Sequence, residues 1–348
     1  MSYTTKVLHI DKDTFQEFEK ASWTQDLLLK GIERPYTTNP QYLLILKDNE
    51  FMIVDKQGNL VLRKPVDYTI TWGHINDDGK VAIITDYDLY VYDKNGNELY
   101  HTTFANPLGK WIRIAKKYLW LCVGTSPPSI YVYDLSDFSY SSFSINARIY
   151  GVIRFQLDEN GENALGVYDD SNIYIHFFRA NTEGIEVEKS TSFNRTSWNL
   201  RGRPDLVGFV VVLARSSGGT LYNNVVFVNG NLDHVVAFSY STSNTSNRVY
   251  VVGDLNLEKG LIYMKISPTV RKWTFDWNTM TYTEVDTFNL EENPEDAGVT
   301  NDGGDMTPDG KYAVLTTSDI LVIDWETKQI VKTIPKAFTG APVRILVA

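Results

Sequence analysis

Apolar residues in this chain alternate with polar ones in short bursts, and glycine, proline, asparagine and aspartate punctuate the bursts. That two-residue period predicts β-strands with one face buried, and no 3.6-residue apolar period recurs to suggest helices within the repeats. The pattern is clearest from Gly304 to Pro335, GDMTPDGKYAVLTTSDILVIDWETKQIVKTIP. Met306 ends one strand, and Thr307-Pro308-Asp309-Gly310 is a turn in which proline presets φ and glycine accepts a positive value. Lys311 to Thr317 predicts a second strand, Ser318-Asp319 a tight connection, Ile320 to Asp324 a third strand and Gln329 to Ile334 a fourth.

The end of the apolar third strand, where a polar residue opens the turn into the fourth, recurs along the chain. The copies are FMIVDKQGN with Asp55, LYVYDKNGN with Asp93, IYVYDLSDF with Asp134, IYIHFFRAN with Phe178, VVFVNGNLD with Asn229, KWTFDWNTM with Asp276 and ILVIDWETK with Asp324. Their mean spacing is about 45 residues, a period of four-stranded repeat units and not of leucine-rich or helical ones. The turn PDGKY followed by the strand LVID resembles the blades of YVTN-type and WD-repeat propellers. The resemblance implies an all-β, seven-bladed β-propeller and carries fold alone, since many functions share that scaffold.

Taken in order, residues 1–38 fall outside the repeat and form an N-terminal extension; residues 39–348 form the propeller. Asp13 or Thr14 caps a predicted short helix whose apolar side includes Phe15, Phe18 and Leu27, and Gly31 stops it before Pro35. Residues 42–67 supply only three strands. The missing innermost one is assigned to APVRILVA, residues 341–348, which closes the ring and removes exposed sheet edges. The next five blades span 68–104, 111–145, 150–193, 198–240 and 248–288. Within the fifth, RSSGGTLYNN is expected to be a mobile surface loop between the second and third strands.

Composition narrows the function. A single cysteine, Cys122 in LWLCVG, excludes an internal disulfide framework and reads as a small buried hydrophobe. A net charge of −10 argues against nucleic acid as a partner, because phosphate affinity needs a basic face. No apolar run reaches transmembrane length, and the start MSYTTKVLHIDKD lacks a basic segment followed by an apolar one. A cytoplasmic location with no membrane association is therefore expected; a virion-associated one is the other setting suggested by the abundant Asn, Ser, Thr and Tyr.

The first strand of each blade lines the channel of a propeller, and these strands are unusually cationic. TITWGHI, KWIRIA, YGVIRF, WNLRGR, NRVYVV and PVRILV carry His74, Arg113, Arg154, Arg201 with Arg203, Arg248 and Arg344. Trp72 precedes His74 by two residues and Trp111 precedes Arg113 by two, which places each pair on one strand face. Guanidinium groups bind carboxylate or phosphate bidentately, and an indole offers a stacking surface. Two cations about 8 Å apart at an effective dielectric of 20 repel by roughly 2 kcal/mol, so such a ring needs counter-charge. Either internal carboxylates such as Asp302 and Asp305 supply it, or an anionic ligand or acidic peptide does.

Other chemistry is absent from the sequence. The five histidines show no metal-ligand spacing, no G-x-S-x-G turn positions a nucleophile, and no glycine-rich phosphate loop appears, so no metal or cofactor is expected. The expectation is a non-enzymatic scaffold that presents a disc face to a protein partner and accepts anions in an arginine-lined channel. The alternative is an enzyme similar to the cytoplasmic lactonases that act on phosphorylated sugars, with His74 as its base.

Overall fold

The computed structural model describes residues 42–47, 49–55, 60–124, 127–145, 153–169, 174–192, 196–203, 205–244, 247–264, 267–294, 304–306, 309–317 and 320–334. Among them every regular element is a β-strand, and the strands form seven antiparallel sheets in chain order. The first holds β1 (Tyr42–Lys47), β2 (Glu50–Asp55) and β3 (Leu60–Pro65). The second holds β4 (Trp72–Ile75), β5 (Val81–Ile84), β6 (Asp88–Tyr92) and β7 (Glu98–Thr103). The third holds β8 (Leu108–Ile114), β9 (Tyr118–Val123), β10 (Ser129–Asp134) and β11 (Tyr140–Ser144). The fourth holds β12 (Ile153–Leu157), β13 (Asn163–Asp169), β14 (Ile175–Asn181) and β15 (Gly184–Thr191). The fifth holds β16 (Thr196–Gly202), β17 (Gly208–Ser217), β18 (Thr220–Asn229) and β19 (His234–Thr242). The sixth holds β20 (Val249–Gly253), β21 (Lys259–Met264), β22 (Ser267–Asp276) and β23 (Thr281–Asn289). The seventh holds β24 (Gly304–Met306), β25 (Tyr312–Thr316), β26 (Ile320–Asp324) and β27 (Ile330–Ile334).

These are the seven blades of a β-propeller. The first strands β4, β8, β12, β16, β20 and β24 lie against one another from blade to blade, and the last strands are outermost. Burial follows that placement. Val81 to Ile84 in β5 is buried on both faces, whereas β7 alternates between exposed and half-buried positions. The apolar core sits between blades rather than inside them: Ala82 and Ile84 of the second pack with Ile112 and Ile114 of the third, and Val210 and Phe227 of the fifth pack with Val251 and Trp273 of the sixth. Each blade thus buries its faces only by having neighbours.

The recurring polar residue has a local cause. Asp93, Asp134, Asn181, Asn229, Asp276 and Asp324 each accept a backbone N–H from the turn that follows, at 2.8 to 3.0 Å. The side chain substitutes for a backbone acceptor and fixes the turn into the fourth strand. The fourth copy corrects the sequence reading: its turn opens at Asn181, not Phe178, whose ring is fully buried within β14. The fifth-blade insert is also corrected. RSSGGTLYNN is a continuation of β17 and β18, paired in register to Ser217 opposite Thr220, with Gly218 and Gly219 at φ 58° and 77° making a two-residue hairpin turn. The expected N-terminal extension 1–38 and the segment 341–348 expected to close the ring lie outside the described residues.

Candidate functional site

The inner strands bring three of the expected residues together. Trp111 and Arg113 lie two apart on β8, and Arg154 stands on the neighbouring β12. The Trp111 indole donates from Nε1 to the Phe155 carbonyl at 3.1 Å, which locks the ring across the boundary between the third and fourth blades. Onto that ring fall two guanidinium groups, the Arg113 carbon 3.9 Å and the Arg154 carbon 4.4 Å from its centroid. One indole therefore holds two cations within about 8 Å of each other, and its quadrupole attracts both. Arg113 is 3% exposed, and its Nη1 donates to the Ile112 carbonyl at 2.9 Å.

His74 lies beside this cluster. It is fully buried on β4, and the Ile114 backbone N–H of β8 donates to its Nδ1 at 3.4 Å, so the ring bridges the second and third blades. Trp72 packs half-buried into the same inter-blade core. Arg201 extends from β16 to donate from Nε to the Val251 carbonyl of β20 at 2.9 Å. Arg248 stands half-buried immediately before β20. Arg344 and Asp302 lie outside the described residues, as does the Asp305 side chain.

Arg203 occupies a different place from the others. It follows β16 in the turn to β17, where Nε and Nη2 grip both carboxylate oxygens of Asp205 at 3.0 and 2.8 Å. Glu258 of the sixth blade approaches to 3.9 Å and the Trp277 ring to 5.6 Å. Burial opposes ionisation of Asp205, yet the Arg203 hydrogen bonds hold its carboxyl below the usual range. Its counter-charge is therefore internal, as one branch of the sequence reading required, and it comes from the adjacent turn.

Two charged groups escaped the sequence reading. Asp254, in the turn between β20 and β21, is buried, and burial pushes its carboxyl up from 3.8 to about 6 while Oδ1 accepts the Glu258 N–H at 2.9 Å. Lys272 is 6% exposed on β22, with Nζ 4.0 Å above the Trp325 ring, which Lys259 also approaches to 4.8 Å. The alternation KWTFDW signalled a strand but not that its lysine lies under a tryptophan of the next blade.

No family model matches this chain, and no curated protein matches it. Solved structures do. Kluyveromyces lactis Hsv2p aligns at 11% identity and a TM-score of 0.58, over 87% of this chain and 98% of that one. The Cps50 (Swd1) β-propeller domain of Myceliophteria thermophila aligns at 10% identity and 0.50, over 83% and 91%. Kuenenia stuttgartiensis hydrazine synthase aligns at 12% and 0.56, over 86% and 94%. The likeness is one of fold. It extends over almost the full length of each relative's propeller, and it unites proteins whose names describe unrelated work.

Proposed function

We propose that this propeller is a non-enzymatic protein-interaction scaffold, and that the guanidinium pair on Trp111 receives an anionic group of what docks there. The observation that supports the second part is the gathering of Arg113 and Arg154 on one fixed indole, 3.9 and 4.4 Å from its centroid. A carboxylate or phosphate docking there meets planar guanidinium groups that the indole already holds in place, so little ordering cost remains at binding. The scaffold part draws on the architecture: blades stapled to one another by buried apolar clusters give a rigid disc with broad faces. No observation favours the lactonase-like alternative, whose base His74 is enclosed with Nδ1 engaged by the Ile114 amide.

The test is a calorimetric and tryptophan-fluorescence titration of the intact protein with inorganic phosphate, sulfate and a capped glutamate-rich peptide. Saturable binding is expected, weakened about tenfold or more by Arg154→Gln, because a charge-assisted hydrogen bond contributes roughly 1.5–3 kcal/mol. Arg203→Gln is expected to leave it unchanged. Absence of both binding heat and thermal stabilisation at millimolar anion removes the anion-accepting part of the proposal.

A further inference from the structure

The outer strand of a propeller blade is an open sheet edge, and proteins blunt such edges with bulges and charges so that foreign strands cannot pair there. Six of the seven described outer strands carry the first device. The register breaks opposite Ile53 and Val54 in β3, Val91 and Tyr92 in β7, Arg179 and Ala180 in β15, Val225 and Val226 in β19, Lys272 and Trp273 in β23, and Val322 and Ile323 in β27. The exception is β11. Its pairing runs unbroken from Tyr133 opposite Tyr140 to Ser129 opposite Ser144. It lacks the second device too, for Phe138 to Ala147 contains no charged side chain. β19 is also uncharged apart from His234 but keeps its bulge, so β11 alone among the described outer strands has neither protection.

The surface beside this edge suits a strand. Tyr140 is 60% exposed, and its ring lies 5.3 Å from Tyr131 and from Tyr133, with Phe104 edge-on to Tyr131 at 5.3 Å. Ser142 and Ser144 alternate with Tyr140 on the same face and are exposed. Tyr131 and Tyr133 stand on β10, on the inner side of β11, and back the Tyr140 ring; a side chain of an added strand would rest against exposed Tyr140, while the main chain of β11 supplies the hydrogen bonds.

We propose that the outer edge of β11 is a strand-addition site for an extended, uncharged segment of a partner protein, with β-branched or aromatic residues at alternate positions. Charge selects that occupant. β11 itself carries no counter-charge for a basic or acidic segment, and a second copy of this chain brings its own net charge of −10 against another −10. Main-chain pairing supplies affinity and the exposed Tyr140 ring supplies side-chain selection, as in β-augmentation generally. The inference takes from the scaffold reading only that the partner is a protein, and β11 is an outer strand whereas Trp111 and Arg154 stand on inner ones, so the two tests read separate places.

The experiment titrates the intact protein with the capped peptide Thr-Val-Thr-Tyr-Thr-Val-Thr and with its fully N-methylated twin, following amide hydrogen exchange at residues 140–144 and binding by calorimetry. The unmethylated peptide is expected to protect β11 amides, and the twin, which cannot donate, to leave them unprotected. Ser142→Lys installs on an exposed position the kind of charge other outer strands carry; it is expected to weaken binding about tenfold or more at unchanged melting temperature, with Ser142→Asp as the second variant. Phosphate binding at Trp111 should be the same in all of them. The proposal is overturned by unprotected β11 amides at millimolar peptide, by equal protection from the twin, or by binding as tight as wild type in both variants. A wild-type dimer that Ser142→Lys converts to monomer also overturns it, since the edge then belongs to a second copy.

Discussion

At the scale of single residues, the buried charges are held by what surrounds them and their cost is measurable. Asp254 takes up a proton more readily folded than unfolded, because burial raises its carboxyl from 3.8 to about 6. Its contribution to stability is therefore fullest below about pH 4 and is lost as the pH climbs through 6, a difference of about 3 kcal/mol at most. Glu258 adds to the penalty on the ionised form and Lys259 offsets part of it. Asp254→Asn removes the charge and keeps an oxygen for the Glu258 amide, so the variant should melt higher than wild type at pH 7.5 and no higher at pH 4. Equal melting temperatures at both values would show the carboxylate to be solvated. Gly260 gives a steric counterpart: a Cβ there would stand 2.0 Å from the Val252 carbonyl oxygen and 2.5 Å from the Trp273 ring. Gly260→Ala is expected to destabilise by about 1–3 kcal/mol in chemical denaturation, the usual cost of overpacking.

At the scale of the blade, the turn-opening residue is the unit that repeats. Asn229 Oδ1 accepts from the Asn231 and Asp233 amides at 3.0 and 2.9 Å, and Asn181 does the same for Glu183 and Gly184 at 2.8 and 3.1 Å. Asn229→Ala and Asn181→Ala should each cost about 1–2 kcal/mol, whereas the Asp replacements, which keep the acceptor, should cost little. Urea denaturation of the four variants measures this. Asx turns were legible in the sequence because their chemistry is local, and so were the strands of the seventh blade, whose bounds the alternation set to within a residue. Phe178 was mistaken for an anchor because IYIHFFRAN offers several polar positions after an apolar run, and only pairing with Gly184 decides that Asn181 ends the strand. The β17–β18 arm was missed for a related reason. Ser216 and Ser217 are exposed while Asn223 and Asn224 are polar yet buried, so residue type gives no apolar alternation here and the hairpin shows itself in sequence only by its Gly-Gly turn. Of the inner arginines, position along the strand could be read, but not that Arg203 falls one residue past β16 into the grip of Asp205.

At the scale of the whole molecule, the first sheet decides how the ring is held. Its strand order is β1-β2-β3, one fewer than the other six. Leu44 and Leu46 of β1 pack with Ile75 of β4, just as Ala82 and Ile84 of the second strand β5 pack with Ile112 and Ile114 of β8. A Cβ on Gly73 would lie 3.0 Å from Leu46, so this packing is tight. β1 therefore takes the place of a second strand, and the innermost place of that blade is the one beyond its other edge. The sequence from Pro342 to Ala348 has the spacing such a strand needs, with Val343, Ile345 and Val347 two residues apart and Leu346 between them. Burying four such side chains contributes about 1.5–3 kcal/mol each, a sum comparable with the 5–15 kcal/mol that separates folded from unfolded states in a typical domain. Removing 342–348 should therefore abolish the single cooperative unfolding transition and leave a broad melt with early loss of protection in β1 and β4, whereas Arg344→Gln should keep cooperativity. A truncated chain that melts as sharply and as high as the intact one would mean that the first blade is fastened by something other than the chain's own end.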